Sequence, residues 1–531
     1  MKKTSFRTIM SLILCLAIVL SVGGCGKKVN QVTDEVKETQ ETGGKADSES
    51  TSVSKKVIKP SFFLTCDTAY TGDEIVWKTI KNHTNIDFQV IPVPLASYKE
   101  KMATTIASGD LPDVMGLRSY DTVDEYGPQG AFLSFDKYIE DGKMPNFVKV
   151  LENIPPAMLL ATSPNGKRYS APRIYETPRM DEAFLCRVDI FEKNNITREP
   201  KDLDEFYQVL KKLKELYPDS TPYLSRWGTE HMLSGFSHIT NTNYGIFLNP
   251  ETDQYEFGGD SQAFKDTIVF IAKLYKEGLM DKDFATLSDE EYHEKLISNK
   301  AFVAFDYQAT GFYESSKELA DEGWWWGAML PPEYNGKKRG YPVLQGYFGY
   351  VKSISSKTKY KEELINFIDW TYSEEGKQAL MFGIEGEDYA KKSDNTIDMK
   401  SDILYAGNPQ GKVVNHGLND QNIFSVLPGN AAEFYENVGK FTIAQKKYLN
   451  ENNAFGEPLF YARFVDKKEK KEYNGIRNQL KTYMEEAATK VVIGEESIEN
   501  WDNIIDTAKK SFNVDHALEL VNNAYKQTYN K

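Results

Sequence analysis

The sequence predicts an α/β fold, on three observations. From Val57 onward, short apolar runs of strand length alternate with amphipathic stretches of helical period; this is the pattern of parallel sheets covered by helices. At 531 residues the chain is long enough for two or more sub-domains around substantial cores. Beyond the first two dozen residues no apolar run approaches the roughly 20 residues that span a bilayer, so the rest reads as soluble.

Residues 58–65 read as a strand, 74–81 as a helix, 86–92 as a second strand and 98–107 as a helix. Ser108-Gly109-Asp110 then stops that helix, with Gly supplying the left-handed residue past the last turn. Residues 112–115 open a third strand. Asp202-x-x-Glu205 has the form of a capping box, opening a helix with Leu203, Phe206, Leu210, Leu213 and Leu216 on its apolar face. Residues 255–259, after Asn249-Pro250, read as part of a hairpin, 264–276 as a helix and 301–306 as a buried strand. Trp324-Trp325-Trp326 lead into a strand ending at Pro331-Pro332. Side chains alternate on a strand, so Trp324 and Trp326 share a face and at least one face is core. Residues 362–372 are helical, and the last ninety residues are largely helix over 476–489, 501–510 and 517–529. No internal repeat is visible.

The amino terminus has a different character. Lys2, Lys3 and Arg7 precede an uncharged, mainly apolar run over 8–22, which ends in Gly23-Gly24-Cys25. Basic start, apolar middle and small residues before a cut make residues 1–24 a secretory signal peptide. The cysteine after the small residues resembles a lipobox, with Gly23 where Ser or Ala is more usual. Cys25 then carries acyl chains such as palmitate, each buried CH₂ contributing about 0.8 kcal/mol of anchoring. Residues 26–56 hold no aromatic residue, Leu or Ile, and read as a disordered linker behind the anchor.

Net charge is −14, or −17 once three positive side chains leave with residues 1–24. That balance excludes a nucleic-acid partner, which needs clustered Lys and Arg. Of four cysteines, Cys15 leaves with the signal and Cys25 takes lipid. Cys66 and Cys186 remain, as one disulfide or, the better reading, as two separately buried thiols.

Several segments resemble one family. Residues 107–114, Ala-Ser-Gly-Asp-Leu-Pro-Asp-Val, are similar to an A-x-G-D-x-P-D-V segment of the extracellular solute-binding proteins of ABC importers, family 1. Residues 165–172 are similar to its G-K-x-Y-x-x-P segment, and 278–284 to its E-G-L-x-D-x-x-F segment. Tyr372-Ser373-Glu374-Glu375-Gly376, the stretch Phe382 through Tyr389, and Asn500-Trp501-Asp502 also match in order, whereas Arg187-Val188-Asp189-Ile190-Phe191 departs from R-K-D-W-L. The likeness is to the large lipoprotein branch associated with sugars and oligosaccharides. It implies a two-lobed, periplasmic-binding-protein-like (type II) fold over 57–531, with ligand in the cleft between lobes and a helical C-terminal region. Lobe 1 would take about 57–180 and 350–440, lobe 2 about 181–349 and 441–531. It further implies a monomer at the outer face of the cell membrane, delivering a carbohydrate to ABC permease subunits and using no cofactor. A sensor lipoprotein that presents ligand to a receptor kinase, or a surface polysaccharide-processing enzyme, are the rivals.

The sequence has no G-x-S-x-G, H-E-x-x-H or P-loop motif, which disfavours the enzyme. None of its six histidines stands at metal-ligand spacing with another, so no metal site is expected and each reads as a surface or core residue. Asp281-Lys282-Asp283 lacks the alternating ligands and central Gly of a calcium loop and reads as solvated charge.

A sugar site wants aromatic platforms and planar polar groups near the carboxyl ends of strands. Thr65, Asp67 and Thr68 follow the first strand. Arg118 follows the Pro-Asp-Val strand, where it reads equally as a surface ion pair. Arg173 and Tyr175 stand near the first expected crossover, and Gln345 and Tyr347 at the second. Arg226-Trp227 sits in a loop after Pro222, Trp227 being a stacking candidate or a core residue. Tyr307 and Gln308 close the strand before them.

Overall fold

The computed structural model describes residues 56–529 apart from 66–69, 71, 177–181, 308–322, 324, 344–349, 394–396, 401–417, 419–422, 428–446 and 459–460. Cys25, Cys66, Asp67, Thr68, Gln308, Trp324, Gln345 and Tyr347 lie outside the described residues. What is described is a two-lobed α/β protein.

The described chain opens with β1 (Ser61–Thr65), α1 (Ile75–Thr84), β2 (Gln89–Val93), α2 (Leu95–Ser108) and β3 (Val114–Leu117). α2 ends at Gly109 with φ +69°, as its stop signal requires. Helices α3 (Tyr120–Tyr126), α4 (Asp136–Glu140), α5 (Pro145–Asn153) and α6 (Pro155–Ala161) follow, then the two short strands β4 (Ala171–Pro172) and β5 (Ile174–Tyr175). The sequence reading did not anticipate these four helices. Pro145 and Pro155 start α5 and α6, where a missing N–H costs nothing.

Next come β6 (Glu182–Arg187), α7 (Val188–Lys193), α8 (Leu203–Leu216), β7 (Tyr223–Leu224), α9 (Gly228–Thr240), β8 (Ile246–Asn249), β9 (Gln254–Phe257), α10 (Gln262–Lys276), α11 (Asp289–Leu296), β10 (Val303–Tyr307), β11 (Trp326–Ala328) and β12 (Tyr341–Val343). The chain then returns to the first sheet as β13 (Val351–Ile354), followed by α12 (Lys361–Trp370) and α13 (Glu374–Phe382). Three helices end it: α14 (Lys467–Ile493), α15 (Trp501–Phe512) and α16 (Val514–Tyr529).

One five-stranded sheet has the order β2-β1-β3-β13-β4, and a four-stranded sheet the order β11-β6-β10-β7. In the first, β1 runs parallel to β2 and β3, while β13 is antiparallel to β3 and β4. Alternation along β1 fills both faces: Phe62 and Leu64 enter one apolar cluster, Phe63 another. A third cluster surrounds the second sheet and takes in Leu480, Met484, Trp501 and Val514 from the final helices. Those helices thus pack around the second sheet. Trp326 is fully buried there, its Nε1 donating to the Leu296 carbonyl at 3.1 Å. Cys186 is a buried free thiol of β6. Asp281 departs from the solvated reading: it is buried and accepts from Lys295 Nζ at 2.7 Å.

Candidate functional site

Strand polarity gathers the candidates. Thr65 closes β1, Arg118 directly follows β3, Arg173 directly follows β4, and Tyr350 directly precedes the oppositely running β13. All four stand at one edge of the first sheet, the carboxyl edge of its parallel strands, where open α/β sheets place ligands. The Tyr350 ring collects two guanidinium groups: Arg118 Cζ lies 4.7 Å from its centroid and Arg173 Cζ 4.6 Å. Arg173 is buried, 5.9 Å from the Tyr175 ring and 5.6 Å from that of Phe424. Each such cation–aromatic contact contributes roughly 0.5–2 kcal/mol and fixes the direction of a forked donor. Thr65 and Tyr175 are themselves buried.

The second sheet repeats the arrangement. Parallel strands β7 and β10 lead to Trp227 and Tyr307, and antiparallel β6 begins beside them, Glu182 opposite Tyr307. Trp227 caps α9 in the left-handed region, φ +59°, and Gly228 follows at φ +81°. A bulky side chain at positive φ is rare, and strain of this kind collects at binding sites. The Trp227 side of this loop therefore ends in a helix start, which the sequence reading missed. Trp227 is 49% exposed and Tyr307 40%, their rings 5.9 Å apart at 63°.

Behind the platform stands a charge network. Arg226 Nη2 donates to Asp306 Oδ1 at 3.0 Å and Nη1 to Asp289 Oδ1 at 2.9 Å. The same Asp289 oxygen accepts from Trp227 Nε1 at 3.1 Å. The guanidinium carbon lies 3.9 Å from the Trp227 ring and 4.4 Å from the Tyr292 ring. Burial works against the Arg226 charge, but Asp306, with smaller contributions from Tyr292 and Asp289, more than offsets it, so its pKa stands above the ordinary value. Burial and Asp306 together hold the Tyr292 phenol neutral, far above its usual range.

Tyr175 and Glu182 are seven residues apart, so the clusters are joined by at most about 25 Å of chain. Exposed aromatic faces beside forked guanidinium donors suit a flat ring with an apolar face and a hydroxylated or carboxylated edge. Tyr350, Glu182, His231 and Asp289 join the described candidates, and none carries a motif of its own. Among the described residues no group of His, Cys, Asp and Glu is placed to hold a metal ion, and no helix is long and apolar enough to cross a membrane.

The chain is similar to several known proteins. Lipoprotein LipO of Bacillus subtilis (strain 168) is 25% identical over 488 residues, which cover 87% of this chain and 91% of LipO. The fructooligosaccharide ABC transporter substrate-binding protein FusA of Streptococcus pneumoniae serotype 4 (strain ATCC BAA-334 / TIGR4) is 28% identical over 242 residues, 41% of this chain and 44% of FusA. The crystal structure of the alginate-binding protein AlgQ2 without calcium ion shares the fold, with TM-score 0.70, 21% identity, and coverage of 90% of this chain and 100% of that one. The sequence model for bacterial extracellular solute-binding proteins matches residues 68–378. With two lobes, paired carboxyl edges and a family match over more than half its length, the chain belongs to the bacterial extracellular solute-binding protein family.

Proposed function

We propose that the protein captures a carbohydrate, an oligosaccharide in particular, between its lobes and delivers it to an ABC importer without chemical change. The observation that carries this reading is the exposed Trp227–Tyr307 pair, held over Arg226 at the carboxyl edge of one sheet while Arg118, Arg173 and Tyr350 occupy that edge of the other. Stacking holds a sugar face; guanidinium forks take its polar edge. Lobe closure over a polar solute leaves every buried hydroxyl in need of a partner, and that need supplies selectivity. The names of FusA and AlgQ2, a fructooligosaccharide binder and an alginate binder, support the carbohydrate class.

The lobes divide at about residues 180, 350 and 440 in this reading, and the protein acts as a monomer. An acylated Cys25 holds it at the outer face of the cell membrane, with residues 26–56 as its tether, near the permease subunits. Incubation of pure protein with an oligosaccharide panel tests capture. A raised melting temperature with intact ligand recovered is expected, and release of cleaved products would overturn it. Fatty-acid-analogue labelling that persists unchanged in Cys25→Ala would refute the anchor.

A further inference from the structure

His231 stands on the first turn of α9, four residues after Trp227, and so on the same side of the helix start. Its ring centroid is 5.1 Å from that of Trp227 and 5.8 Å from that of the core residue Phe305. The imidazole thus adjoins both the platform and a core ring. The residue is only 9% exposed, yet neither Nδ1 nor Nε2 has a hydrogen-bond partner. Buried polar atoms are nearly always paired, and an unpaired one in a native protein calls for a reason. The nearest facing charge is Glu182 Oε1, 3.6 Å from Nε2, beyond hydrogen-bond distance. Glu182 is the first residue of β6, opposite Tyr307 in register, and its side chain is 25% exposed. An imidazole and a carboxylate therefore flank the exposed aromatic pair, 3.6 Å apart and not hydrogen-bonded to each other.

We propose that His231 and Glu182 form a polar subsite that takes hydroxyl groups of a sugar ring stacked on Trp227. A hydroxyl can donate to the Glu182 carboxylate while accepting from an imidazole N–H, and its neighbour can donate to the other imidazole nitrogen. The ligand completes the hydrogen bonding that the free protein leaves undone. This subsite rests on the reading of Trp227 as a sugar platform.

The test uses the full soluble chain from residue 26 onward and a defined panel: 1-kestose, trigalacturonate, xylotriose, mannotriose and di-N-acetylchitobiose. Binding is followed by calorimetry, and unfolding is followed without ligand. Wild type, His231→Leu, His231→Gln, Glu182→Gln and Trp227→Ala are compared. His231→Leu and Glu182→Gln are expected to weaken the sugar that wild type binds by about tenfold or more. His231→Leu is also expected to keep or raise the ligand-free melting temperature, because it removes an unpaired buried group. His231→Gln, which still donates and accepts, is expected to recover part of the affinity. Full affinity in His231→Leu with loss in Trp227→Ala would leave the platform standing and overturn the subsite. A lowered ligand-free melting temperature in His231→Leu, with no recovery in His231→Gln, would make His231 a packing residue and likewise overturn it. Absence of binding by wild type to every sugar would overturn the carbohydrate reading, and the subsite with it.

Discussion

In the proposed reading, Trp227 is the residue on which binding turns. Its backbone sits at φ +59°, its indole N–H is tied to Asp289, and the residue is half exposed. Covering such a face with the apolar side of a sugar ring removes area from water at roughly 25 cal/mol per Å², so Trp227→Ala is expected to weaken ligand about tenfold or more in calorimetry, with Trp227→Phe intermediate. A second residue prediction concerns acid. His238, on α9, is pushed down to about 4 by burial, against which the Glu182 charge works only in part. An unfolded histidine titrates near 6.5. Above that pH both states are neutral and stability is whole. Between about 6.5 and 4 only the unfolded chain takes the proton, so stability falls by roughly 3 kcal/mol in total. Urea unfolding at pH 7.5 and 5 would show this decline, and His238→Leu should flatten it. Arg118 and Trp227 were legible in the sequence because each follows a strand end. His231 was not, because its neighbours Phe305 and Glu182 come from two other strands that only the folded sheet brings beside α9.

At the scale of elements, local chemistry decided what could be read. The Asp202 cap announces α8: its side chain accepts from the Glu205 N–H at 2.9 Å. The reciprocal half of the box is not made. Glu205 instead reaches the Lys201 N–H, one residue further back. Asp202→Ala is expected to cost about 1 kcal/mol, seen as a lower urea midpoint with unchanged slope. The hairpin of β8 and β9, the strand β10 and the helix α10 are likewise set by turn residues and short-range period. Helix α9 hid itself, since it starts after a left-handed Trp with no side-chain cap, a signal no local rule contains. Helix α3 has a Ser119 cap, yet its seven residues are too few to display a period. Strand β13 joins the first sheet more than 230 residues after β3, and its antiparallel register there follows from tertiary pairing alone.

Across the whole molecule, Arg463 leads a seam of side chains that ties the C-terminal helices to the helices beside the first sheet. Phe464 packs with Tyr473 and the final helices, which pack around the second sheet. Arg463, beside it, points the other way. Its Nη2 donates to both Asp124 oxygens on α3, at 2.8 and 2.7 Å, and its Nη1 donates to the Leu159 and Thr162 carbonyls at the end of α6. Lys470 with Asp121 and Lys467 with Glu125 add ion pairs along the same seam. A guanidinium at a helix C-terminus meets carbonyls with acceptor capacity left over and the negative end of the helix dipole, so the contact is favourable at both ends. Removing one member of a partly buried pair costs far more than an exposed pair contributes, because the other charge is left behind. Arg463→Ala should therefore lower the melting temperature, whereas Lys467→Ala should barely move it. The larger consequence is for closure. A protein that closes on its solute binds more weakly when its free form spends less time near the closed arrangement. With the Arg463 tie cut, the lobes are free to separate further. Small-angle scattering of the ligand-free Arg463→Ala chain should give a larger radius of gyration than wild type, and saturating ligand should restore it. Ligand affinity should fall although Arg463 touches neither Trp227 nor Tyr350. An unchanged radius with unchanged affinity would reduce the seam to a stability contact and leave lobe motion to the crossovers alone.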